Sequence, residues 1–213
     1  MLKKKAFTLS ELLIALAIVG AIAALAIPAI IEDMNRRILA NQLKNLSLII
    51  QNLAGDQLVN NKVHSLEYTD FKDASTLLAS SNFSIADYCS TRSDCVANSY
   101  GTLNGKTVSI PNYTTVKLKN GGTLTYTVSE LALTGSTDKG YGLFYTDLNG
   151  LDGPNLLGRD LFVFRISKKG RIVDGTGDNS TTDATLKNYC KDGSSVPTSC
   201  YTLVERSNWK ITY

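Results

Sequence analysis

Between Asp147 and Asp160 the chain places five oxygen-bearing side chains, Asp147, Asn149, Asp152, Asn155 and Asp160, among glycines and Pro154. Carboxylate and amide oxygens at this spacing, on a backbone that glycine lets bend, could wrap a hard cation such as calcium. The spacing is not that of an EF-hand. Leu151 stands at the fifth position, Asp152 at the position of the invariant glycine, and Gly158 at the final ligand position. The same residues also make Asx-turns in a long connection, and both readings stay open. Little else suggests catalysis. His64 is the single histidine and lies in a polar stretch, and no G-x-S-x-G, P-loop or paired-carboxylate motif has the context its chemistry needs. The expectation is a protein that is not an enzyme.

The four cysteines are Cys89, Cys95, Cys190 and Cys200. An even count beyond an export segment reads as disulfides. Three pairings are possible. The local one, Cys89–Cys95 with Cys190–Cys200, is favoured because each bridge closes a short loop with turn residues inside it. A metal site competes, but neither spacing resembles the short C-x-x-C knuckles of zinc sites.

A further carboxylate, Glu11, stands at the edge of an apolar run. Residues 12–31 contain no charge, and at about 1.5 Å rise per residue they make a helix of about 30 Å, the hydrocarbon thickness of a bilayer. Lys3, Lys4 and Lys5 precede the run, which places the N-terminus in the cytoplasm and the rest across the membrane. A cleaved secretory signal would put a small-residue site after the run. Against that reading stand Glu11, costly at a membrane edge without a partner, and a helical pattern that continues through Glu32, Asp33, Arg36 and Arg37.

Lys3-Lys4-Lys5-Ala6-Phe7-Thr8-Leu9-Ser10-Glu11 followed by an apolar run resembles the class III signal of type IV prepilins and type II secretion pseudopilins. The resemblance implies a prepilin peptidase cut between Ala6 and Phe7, N-methylation of Phe7, and a Glu11 that pairs with the new amine of a neighbouring subunit. Ala6 stands where Gly is usual. Pro28 falls where pilins place a helix-kinking proline, and a proline there is expected to kink or locally melt the helix. The Asp/Asn-rich loop is similar, as a loop, to one that binds calcium in the major pseudopilin. The implied partners are other pilin or pseudopilin subunits, the peptidase and an inner-membrane assembly platform, with no nucleic acid required. The implied location is the bacterial inner membrane, then an extracytoplasmic filament.

Physical reasoning supports this independently. A new cation at Phe7 and an anion at Glu11, on chains shifted axially, can neutralise each other where a low dielectric makes mispairing costly. The rival class is a binding or enzymatic domain held by an uncleaved N-terminal anchor. A visible catalytic constellation would favour it.

The elements that position these groups follow from periodicity. Leu39, Leu43, Leu46, Ile50 and Leu53 recur at steps of four and three, one helical face, so a helix is expected from about Thr8 to Gly55 or slightly beyond. Residues 70–80 are weakly helical. Tyr113 to Lys119 and Thr123 to Ser129 form a hairpin around Asn120-Gly121, whose residues supply positive φ angles. Gly142 to Leu148, Leu161 to Ser167 and Arg171 to Val173 read as strands, Thr176 to Thr185 as a surface loop, and Trp209 as an anchor to the sheet. The organisation expected is a leader (1–6), a membrane or assembly half-helix (7–31), an amphipathic half (32–58) and a β-rich head (59–213). The fold class is α+β and pilin-like, a long N-terminal helix on an antiparallel sheet with a disulfide-closed C-terminal loop. The chain carries 22 basic and 19 acidic residues, three of the basic ones in the leader, so the cut chain is near neutral and has no basic tract for nucleic acid.

Overall fold

In the computed structural model, the described residues are 8–80, 82–108, 110–111, 113–131, 140–173, 181–193 and 196–213. Ala6 and Phe7, and the part of the expected surface loop at 176–180, lie outside them. Helix α1 runs from Leu9 to Asn60, five residues beyond Gly55. The chain divides into two compact units, one ending at Ile38 and one starting at Leu39.

In the first unit the apolar side chains of α1, from Leu9 to Ile31, are exposed all round the helix. A helix apolar on every side is stable only in lipid or among other helices. It continues through Pro28 as helix. The local melting expected there is not found, because a proline removes only one hydrogen bond while its neighbours keep theirs. Glu32–Arg36 at 2.6 Å and Asp33–Arg37 at 2.9 Å are i,i+4 pairs that ring the helix after the apolar span.

In the second unit α1 turns Leu43, Leu46, Ile50 and Leu53 inward, as the spacing predicts, with Ala40, Ser47 and Ala54 letting the helix approach closely. After 3-10 turns at 66–68 and 70–72 and the short helix α2 (Ala74–Leu78), the chain lays down β1 (Ile85–Tyr88), β2 (Tyr100–Gly101), β3 (Thr107–Val108), β4 (Thr115–Leu118), β5 (Thr123–Leu131), β6 (Gly140–Asp147), β7 (Leu161–Ser167) and β8 (Ile172–Val173). The main sheet is ordered β1-β4-β5-β6-β7-β8, each pairing antiparallel. β2 and β3 pair apart from it.

The β4–β5 hairpin forms where expected, with one difference. Only Gly121 takes a positive φ, +90°, while Asn120 instead accepts the Gly122 N–H on its side chain at 3.2 Å. Across the sheet Tyr126, Phe144 and Phe164 stand opposite one another in register. Gly142 makes this possible, since a Cβ there would meet the Tyr126 ring at 2.5 Å.

Two helices complete the fold, α3 (Asp183–Asp192) and α4 (Ser199–Arg206). The Cys190–Cys200 bridge therefore ties two helices rather than closing a plain loop. Asp183 to Thr185, expected to be loop, is instead the first turn of α3, capped by Thr182, which accepts from the Thr185 N–H. Trp209 meets the edge of Tyr201 at 5.9 Å, and Tyr201 in turn packs on Phe164 at 5.0 Å. The tryptophan thus reaches the sheet through α4.

Candidate functional site

The entry to α1 is a reciprocal cap. The Glu11 carboxylate accepts from the Thr8 N–H and from the Thr8 hydroxyl, each at 2.8 Å, and the Thr8 oxygen accepts from the Glu11 N–H at 3.3 Å. This is the capping box of a Thr-x-x-Glu sequence, which satisfies two of the donors a helix start leaves open. The pattern was present in the sequence, and Thr8 could have been found from it. Both side chains are exposed in the single chain, so Glu11 can exchange its partner without unfolding anything else.

The acidic loop is organised around two buried carboxylates. Asp160 accepts the backbone N–H of Asn155 and Leu156, both at 2.6 Å, and of Leu161 at 3.0 Å. Asp147 accepts the Tyr100 hydroxyl at 2.6 Å and the Asn149 N–H at 3.3 Å. Burial pushes Asp147 up from 3.8 to about 6, with repulsion from Asp160 adding to it and the Tyr100 hydrogen bond opposing it. Burial also raises Asp160, against the pull of its N–H donors. Asn149 donates to the carbonyls of Asp152 and Gly153 at 2.9 and 3.1 Å, which shapes the turn. Asp152 itself is exposed.

Of the five residues proposed as ligands, then, Asp147 and Asp160 are engaged with protein donors, Asn149 closes a turn and Asp152 faces solvent. Asn155 contributes its N–H to Asp160. Among the described residues no group of three or more acidic, histidine or cysteine side chains gathers as a cation site. The partner of Asp147 is Tyr100, 47 residues away, and no local pattern announces it.

Residues 1–27 match the family described as the prokaryotic N-terminal methylation motif. The chain carries the type IV pilin and pseudopilin signature. No curated protein and no solved structure matches the chain. The match covers Ala6, Phe7 and Glu11 and most of the apolar span. The apolar run is the first half of α1, the one helix among the described residues that is long and apolar enough to cross a membrane, and the second unit carries both local disulfides, Cys89–Cys95 and Cys190–Cys200. The acidic loop is fastened to the second of these. Gly158 has φ +87°, and a Cβ there would stand 2.9 Å from the Cys190 Sγ and 3.0 Å from the Cys200 Sγ.

Proposed function

We propose that the chain is a structural subunit cut by a prepilin peptidase between Ala6 and Phe7, methylated on Phe7 and polymerised with its own kind or with related subunits. The filament would be a type IV pilus or a type II secretion pseudopilus, raised from the inner membrane by an assembly platform. One observation carries this reading. The apolar half of α1 is exposed around its whole circumference and begins with a carboxylate, Glu11, held only by an exposed neighbour. Lipid covers such a surface before assembly and neighbouring helices cover it afterwards. In the filament Glu11 meets the new Phe7 amine of another copy, and the pair sets the axial register.

The test is direct. Mass spectrometry of the mature chain should find methyl-Phe7 as its first residue, and shearing of cells should release the subunit in filaments. A mature chain that keeps Lys3 to Ala6, with no subunit in the sheared fraction, overturns the reading in favour of an uncleaved anchor.

A further inference from the structure

At the C-terminal end of α1 an open cavity of about 600 Å³ is lined by Leu58, Val59, Lys62, Val63, His64 and Lys169. No acidic residue is among them. Lys62 and Val63 end the helix in a Schellman cap. The Val63 N–H donates to the Leu58 carbonyl and the Lys62 N–H to the Val59 carbonyl, both at 3.1 Å, and Lys62 takes φ +55°. That position favours glycine, because a Cβ strains in the left-handed region. The chain keeps a lysine where glycine would be more comfortable, and the side chain it gains lines the cavity.

The opposite wall is equally fixed. Gly170 sits so close to α1 that a Cβ there would lie 3.1 Å from Ala54 Cβ, and the Lys168 carbonyl accepts from the Leu66 N–H at 2.9 Å. The two lysines of this turn differ. Lys168 is neutralised by Glu67 at 2.5 Å and Glu130 at 2.9 Å. Lys169 lines the cavity and, like Lys62 and His64, is exposed and has no ion pair among the described residues. Two ammonium groups around one depression attract an anion and repel each other without one.

We propose that this cavity binds an organic phosphate monoester, with the phosphate held between Lys62, His64 and Lys169 and its apolar body resting on Val59 and Val63. Lysines act as separate point charges and suit a tetrahedral dianion, whereas a planar carboxylate favours the fork of an arginine.

The experiment follows the methyl resonances of Val59 and Val63 by NMR, with the full chain in a non-ionic detergent, during titration with phenyl phosphate, inorganic phosphate or benzoate. Phenyl phosphate should give saturable shifts, with the other two about tenfold weaker or worse. Lys62→Gly combined with Lys169→Ala should weaken phenyl phosphate by at least about tenfold. Glycine is favoured at the cap, so that loss would not reflect a damaged helix end. Absence of saturable shifts, unchanged affinity in the double variant, or equal affinity for inorganic phosphate each overturns the assignment.

Discussion

Thr8 holds Glu11 by two hydrogen bonds of 2.8 Å and receives one back at 3.3 Å. The carboxylate at the membrane edge therefore has a partner within its own chain before it meets another. In the pairing proposed above, a neighbour's amine would displace these hydrogen bonds from an uncharged residue and put a full positive charge against the carboxylate.

From this we expect Glu11→Ala to leave the protein inserted and folded while lowering its recovery in sheared filaments by about tenfold, the loss of one charge-assisted hydrogen bond. Thr8→Val removes the hydroxyl bond that the amine has to displace, so it should leave recovery undiminished. Undiminished filaments in Glu11→Ala would refute the role.

The second prediction concerns the head's covalent clasp. The Cys190–Cys200 bridge spans 10 residues, and replacing both cysteines by alanine should reduce stability by about 2–3 kcal/mol on loop-closure grounds. Gly158→Ala tests the same place without touching the cysteines. Its methyl would press on both sulfurs in a backbone region that favours glycine, so a loss of about 1–3 kcal/mol is expected. Denaturant titrations measure both, and a neutral Gly158→Ala would show that the loop is free to move off the bridge.

Asp147 makes stability depend on pH. Its folded value, about 6, lies above its ordinary 3.8, so the folded state takes up a proton more readily than the unfolded chain. The stabilising contribution is complete below about pH 3.8 and is lost as pH rises through about 6. It amounts to something on the order of 2–3 kcal/mol. Asp147→Asn, which keeps an acceptor for Tyr100, should remove this contribution to the slope. Parallel stability–pH curves for the two proteins would contradict it.

For the acidic loop the expected result is thermal midpoints that coincide in millimolar calcium, magnesium or chelator. Asp160 already accepts three backbone N–H groups and Asp152 faces solvent. A rise in calcium alone, about 2.7 kcal/mol at a hundredfold excess over the dissociation constant, would instead establish a cation site. Asp152→Ala should then abolish that response.

What the sequence made legible was whatever repeats at short range. The uncharged run, the leucine face of α1, the β4–β5 hairpin and β7 each carry their own period or turn. α3 was illegible because Asp183–Asp192 is mostly polar, with only Leu186 and Cys190 buried; its stability comes from the Thr182 cap, the bridge to α4 and the Arg206–Asp183 pair at 3.1 Å. β2 and β3 have two residues each and no period to read. The acidic loop was visible as composition, but its organisation depends on Tyr100, and contacts across such separations leave no trace in local spacing.

The aromatic side chains Phe71, Tyr126, Phe144, Phe164, Tyr201 and Trp209 follow one another at centroid distances of 4.6 to 6.0 Å. Trp209 is the chain's single tryptophan, and it ends this row with Tyr201 against it. Ultraviolet light absorbed by the tyrosines of the folded head can therefore pass to one emitter. Fluorescence from that ring, excited through its neighbours, becomes a built-in optical gauge of whether α4 is seated on the sheet, usable in a membrane or a filament without attaching a dye.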